Sequence, residues 1–211
     1  MKLTLALLRW MRQVLPRDTI VAVAVICALV VEGFHLWCQL GWGQADEAFF
    51  ARVRLLIQVV SVSVYGAHRV LTFHPANDPD YRQWLECSPW TPRMPLPMGP
   101  VHLVLQDFVI LAASILLTRD FTTRVLYIPI AFLVSYVAML AITVRMTGQT
   151  VWAYVLGIAI GGGGFSIQQP MEALMTMGAT TALSLVALQS SLRAFPWKLP
   201  WFAQFRDWVK S

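Results

Sequence analysis

The sequence predicts an all-α integral membrane protein with about six transmembrane helices and amphipathic interfacial helices at both termini. Three observations carry that reading. The chain is 57% hydrophobic and 13% charged, against roughly 45–50% and 25% in soluble domains. Its apolar residues gather in runs approaching the roughly 20 residues that a helix needs to cross about 30 Å of hydrocarbon. Its Lys and Arg residues fall mainly at the ends of those runs, where anionic headgroups would meet them. The net charge of +5 is therefore assigned to membrane lipids and topology, and no nucleic-acid partner is expected.

Taken in order, residues 1–17 predict an interfacial helix. Lys2, Arg9, Arg12 and Gln13 fall within about 100° of one another at helix spacing, with Leu3, Leu7, Leu8, Trp10, Met11, Val14 and Leu15 on the other side. A signal peptide is not expected, because the apolar run ahead of Arg9 is too short and no small-residue cleavage site follows. The membrane domain, 18–194, holds spans at about 19–40, 49–71, 101–117, 125–144, 150–166 and 174–192. The fifth, VWAYVLGIAIGGGGF, is short and ends in four glycines, so a tilted or re-entrant segment is its alternative. Residues 195–211 place Trp197, Trp201, Phe205 and Trp208 in an aromatic stripe against Lys198, Arg206 and Lys210. Anchoring at the headgroup level explains that stripe, and a subunit-docking surface is the sharper alternative. Of the 16 Lys and Arg residues, twelve lie on one side of this layout and four on the other. That asymmetry puts both termini, and the proline-rich loop 72–100, in the cytoplasm of a multi-pass inner-membrane (cell-membrane) protein.

Within the spans, ionisable residues are costly and therefore functional candidates. Glu32 and His35 stand three residues apart on the first span. A di-iron bundle would need a second such pair and two more carboxylates, which the chain lacks. At about 1.5 Å per residue, Glu32 lies roughly 12 Å below the outer end of its span and Arg54 begins roughly 9 Å below the same end. An ion pair of Glu32 with Arg54 or Arg52 is expected, or a related one with Arg119. Arg52 and Arg54 point some 200° apart on an ideal helix, so one should face Glu32 while the other snorkels to the surface. Asp107, one turn into the third span, is either a proton or substrate site or a hydrated residue near the cytoplasmic end. His68 and His102, on adjacent spans, would serve as haem or quinone ligands; interfacial histidine explains them as well, so no cofactor and no metal are expected.

The stretch GGGGFSIQQP, Gly161 to Pro170, has two readings. Gly161, Gly162, Gly163 and Gly164 unwind a helix cheaply and would line a gate with Gln168, Gln169 and Glu172 at its mouth; alternatively they permit tight helix packing, with a loop started by Pro170. No phosphate loop, His-Glu-x-x-His helix or Cys-x-x-Cys pair is present, so the chain is not expected to be an enzyme and no catalytic residue is assigned. Cys27 and Cys38 share one expected helix and Cys87 lies in a loop, which is no disulfide framework.

The cytoplasmic loop contains WLECSPWTPRMPLPMGP. Asp78 to Cys87 predicts a short amphipathic helix with Tyr81, Trp84 and Leu85 at helix spacing. Prolines 89, 92, 95, 97 and 100 then exclude helix and sheet and predict an extended strap. Tyr81, Trp84, Leu85, Pro89 and Trp90 are the candidate partner-docking residues, with the strap packed on the cytoplasmic helix ends and Trp84 and Trp90 as its anchors.

Six spans, cytoplasmic termini, a basic amphipathic helix before the first span and a short helix between the second and third resemble the permease subunit of ABC-2-type exporters. The resemblance lies in topology and covers most of the chain; the five-proline strap departs from it. It implies a dimerising permease subunit of a transport system, with Tyr81 to Ser88 facing a separate cytoplasmic ATPase and 161–172 corresponding to partly re-entrant outer elements. The alternatives are a non-catalytic structural subunit of a larger membrane complex, and a haem- or quinone-binding redox subunit.

Overall fold

The computed structural model describes residues 29–40, 47–118, 122–165 and 169–197. The expected N-terminal interfacial helix, the start of the first span, Gln168 and the tail from 198 onward lie outside the described residues. Among the described residues the chain is all-helical, with no strand. Its helices are α1 (29–40), α2 (Glu47–Phe73), α3 (Pro79–Cys87), α4 (Leu105–Thr118), α5 (Tyr127–Met146), α6 (Thr150–Phe165) and α7 (Pro170–Arg193). Short 3-10 turns at Pro75–Asn77 and Thr123–Leu126 precede α3 and α5.

Among the described residues three stretches are long and apolar enough to cross a membrane: Glu47–Phe73, Thr123–Met146 and Pro170–Arg193. The apolar helices α4 and α6 are shorter. At 14 residues, α4 is about 21 Å long, less than the roughly 30 Å of a hydrocarbon core. Its expected first turn, 101–104, is not helical. Asp107 explains why: its carboxylate accepts the Val104 N–H at 2.7 Å while its own N–H donates to the Val104 carbonyl. That reciprocal cap fixes the start of the helix at Leu105. Pro170 does not start a loop but opens α7, a position where its missing N–H costs nothing.

The hub is α5, which packs against α2, α6 and α7. It is apolar around much of its circumference, as a helix buried by several neighbours must be, and Ile128, Phe132, Tyr136, Val137, Leu140 and Val144 are fully buried. At Gly66 the backbones of α2 and α5 approach closely: a Cβ there would collide with the Ser135 hydroxyl and sit 2.6 Å from the Phe132 carbonyl oxygen. Removing a side chain is how helices in an apolar medium gain backbone contact. Outward, Leu116 and Leu117 of α4, Val151 and Ile158 of α6 and Met171 and Met175 of α7 are exposed, as a lipid-facing surface would present them.

Candidate functional site

One end of the bundle is closed by a cap of α3 and residues 88–104. Asp78 starts α3 by accepting the N–H groups of Asp80 and Tyr81, as an N-cap aspartate does. Tyr81, Leu85 and Trp90 then turn inward and pack together with Leu96 and Phe195. Three of the expected docking residues are therefore interior to the cap and offer no free surface. Trp84, 54% exposed, and Pro89, also exposed, remain outside. Of the two expected anchors only Trp90 is one: its indole donates to the Pro95 carbonyl at 3.3 Å and its ring meets Phe195 edge-on. Nor is the strap simply extended, since hydrogen-bonded turns close from Thr91 to Met94 and from Leu96 to Gly99. Gly99 has φ +128°, a conformation that glycine adopts at little cost. Tyr81 receives the Met98 N–H on its hydroxyl oxygen, and burial pushes that hydroxyl above its ordinary pKa.

Under the cap lie the fully buried Arg69 of α2 and Asp107 of α4. Arg69 Nε is 3.5 Å from Asp107 Oδ2, and Asp107 also accepts the Tyr65 hydroxyl at 2.6 Å. Arg69 Nη2 donates to the carbonyls of Pro100 and His102 at 3.1 Å each, and the guanidinium carbon stands 4.8 Å from the centre of the Phe73 ring. Asp107 is thus not a hydrated residue at the helix mouth. It neutralises Arg69, caps α4 and binds α2, while Arg69 holds the end of the strap. In the charge count Arg69 is one of the twelve basic residues on the cytoplasmic side. The signal was an arginine still inside an apolar run, facing an acid at the start of the next one.

Beside this pair is His74, also fully buried. Its Nδ1 accepts the Ala76 N–H at 3.2 Å, so the proton of a neutral ring sits on Nε2 and donates to Ser191 Oγ at 3.3 Å. Ser191 donates to Thr147 Oγ1 at 2.9 Å, which donates to the Val144 carbonyl at 2.7 Å. Every donor in this chain points the same way. His74 therefore cannot take a proton from Ser191, and the pair is a structural link, not a nucleophile and its base. Trp197 packs on His74, ring centres 5.4 Å apart, and donates to the Ser191 carbonyl at 2.6 Å. The expected interfacial stripe thus loses Trp197 to the interior. Burial holds the His74 imidazole down at about 3.

A second polar cluster joins α1 to α2. Arg54 donates through Nε to Glu32 Oε1 at 2.7 Å and through Nη2 to Glu32 Oε2 at 3.3 Å. This is the expected ion pair, with Arg54 as the partner and Arg52 exposed. His35 is drawn into it, with Nδ1 2.8 Å from Arg54 Nη2 and Nε2 3.1 Å from Glu47 Oε1.

The other expected sites do not assemble. His102 is exposed and non-helical, while His68 bonds Thr72 one turn along its own helix. The two imidazoles are thus not presented from facing helices. Helix α6 runs unbroken through Gly161, Gly162, Gly163 and Gly164, so the glycines do not unwind it. Nor do Gly161 and Gly162 serve close packing among the described residues, none of which lies within 4 Å of a Cβ built at either. Gln169 precedes α7, exposed, with its side-chain amide beside the Glu172 carboxylate.

No protein-family model, curated protein or solved structure matches the chain. Its chemistry must be read from the geometry. Among the described residues no group of three or more His, Cys, Asp or Glu side chains is placed to hold a metal ion. Thr180, Thr181 and Ser184 of α7 each return their hydroxyl to a carbonyl of their own helix.

Proposed function

We propose that the chain is a six-span inner-membrane subunit with both termini in the cytoplasm, a permease subunit energised by a separate cytoplasmic ATPase that docks on α3. The observation that supports this most is the two-sidedness of α3. Its inner face is fixed to the bundle through Tyr81, Leu85 and the strap held by Arg69, while its outer face carries the exposed Trp84. A helix that passes a partner's movement to membrane spans needs both properties. Orientation rests on charge: with Arg69 and Arg54 recognised as internal pairs, eleven basic residues against three still favour cytoplasmic ends. Self-association into a dimer belongs to the same proposal.

The unbroken glycine segment of α6 favours a second reading, a non-catalytic structural subunit of a larger membrane complex, because the expected gate is absent from it. Purification of the tagged full chain in detergent separates the two. ATPase activity that co-purifies, and is lost with Trp84→Ala while the chain stays folded, supports the permease. Partners without ATP hydrolysis support the structural subunit. No partner at all sinks both.

A further inference from the structure

We propose that His35 is a proton-binding site that acts as a latch between α1 and α2, its protonation exchanging one set of inter-helix bonds for another. The ring is 7% exposed and held on both nitrogens from α2. Arg54 Nη2 lies 2.8 Å from Nδ1 and the Glu47 carboxylate 3.1 Å from Nε2. A guanidinium can only donate and a carboxylate can only accept. Nδ1 must therefore carry the lone pair and Nε2 the hydrogen, so the arrangement specifies the neutral imidazole and one of its two tautomers. Gln39 donates to the same Glu47 oxygen at 3.1 Å, so its amide nitrogen, 3.2 Å from Nε2, is a second donor to that carboxylate and not a partner of the ring.

Among the described residues the charged groups facing it are Glu32 on its own helix and Glu47 and Arg54 on α2. With a neutral ring this set holds two carboxylates and one cation; adding a proton to His35 balances it. Glu47, with 65% of its side chain exposed, opens the site to water. The incoming proton can bind only at Nδ1, where its N–H would meet the donor of Arg54 head-on. Arg54 must then release the ring. The new N–H turns to Glu32, one turn back on the same face of α1, which Arg54 Nε already holds at 2.7 Å. Glu32 becomes shared, Arg54 loses its bond to His35, and α1 is held to α2 by a different set of contacts. Acid thus repositions α1 on α2, independently of any partner on the cap.

The test uses the full chain in lipid nanodiscs, with 15N-labelled histidine and a spin-label pair placed on α1 at the native Cys38 and on α2 at an introduced cysteine, Cys27 and Cys87 being replaced by serine. At alkaline pH the His35 signals should report hydrogen on Nε2 and a lone pair on Nδ1. On acidification both nitrogens should become protonated as the label distance changes, and His35→Gln should abolish the distance change. Hydrogen on Nδ1 in the alkaline form overturns the proposal, as does a distance that changes equally in His35→Gln. Because the tautomer is read in the unaltered ring, the proposal is tested even if the variant fails to fold.

Discussion

Replacing His74 by Asn should remove a specific acid sensitivity from this fold. In the folded chain the ring is fully buried and its titration is pushed down to about 3, whereas an unfolded histidine titrates near 6.5. The unfolded state therefore binds a proton that the folded state refuses. Stability is unaffected above roughly pH 6.5, falls as the pH drops from there toward about 3, and levels off below. Each unit in that window costs roughly 1.4 kcal/mol, so His74 alone takes about 2 kcal/mol from the folded state between pH 7.5 and pH 5.

Asparagine is the informative replacement because its side-chain oxygen can still accept the Ala76 N–H that Nδ1 now accepts, keeping the cap of the 3-10 turn while removing the titration. Loss of the Ser191 bond lowers stability by a similar amount at every pH and does not alter the slope. Unfolding free energies of the purified full chain in detergent, measured from pH 7.5 to pH 5, should fall by about 2 kcal/mol more in the wild type than in His74→Asn. Other titrating groups are common to both proteins and cancel in the difference. Parallel pH profiles would refute the reasoning, since they would mean that His74 gains its proton in the folded chain as readily as in the unfolded one.

Other substitutions test the remaining contacts by denaturation midpoint. Asp107→Asn should cost roughly 3–5 kcal/mol, because it leaves the buried Arg69 charge without its counterion; adding Arg69→Gln should recover part of that loss. Gly66→Ala should cost roughly 1–3 kcal/mol by forcing α2 from α5, and Ser135→Ala should not rescue it, because the Phe132 carbonyl is still in the way. Trp90→Ala should destabilise by roughly 3–5 kcal/mol and open the cap to protease, while Trp84→Ala should stay within about 0.5 kcal/mol of wild type.

What the sequence made legible follows from how local each signal is. The long apolar helices could be read from composition, and α3 from an aspartate N-cap followed by helix-spaced apolar residues. The Glu32–Arg54 pair could be read because successive spans, one expected to run outward and the next inward, convert residue number into depth. Which face of α3 looks inward could not be read in the same way. Tyr81 and Trp84 are both aromatic and three residues apart, and only the surface beneath the helix decides that one is buried and the other free. His74, Thr147 and Ser191 lie 44 residues or more from their nearest partner in that chain of hydroxyls, and no periodicity links them. The glycine segment misled for a thermodynamic reason: glycine lowers the cost of unwinding a helix without requiring it, and α6 stays helical through all four glycines.

The proline strap follows a rule that connects these observations. Its five prolines, at 89, 92, 95, 97 and 100, are all exposed, while carbonyls of the same segment turn inward. Each finds a buried side-chain donor: Pro95 the Trp90 indole, Pro100 and His102 the Arg69 guanidinium, and Val101 the Tyr136 hydroxyl. Proline supplies no N–H and holds φ near −65°, so the segment brings few donors needing partners and loses little freedom when its acceptors are aimed. The same logic explains why arginine stands at 69. Its guanidinium reaches two carbonyls while its Nε faces Asp107, a fork that a lysine ammonium cannot reproduce. The ion pair and the strap therefore form one device: Asp107 neutralises the charge that allows Arg69 to be buried, and the buried Arg69 holds in place the last residues of the connection that α4 needs in order to begin.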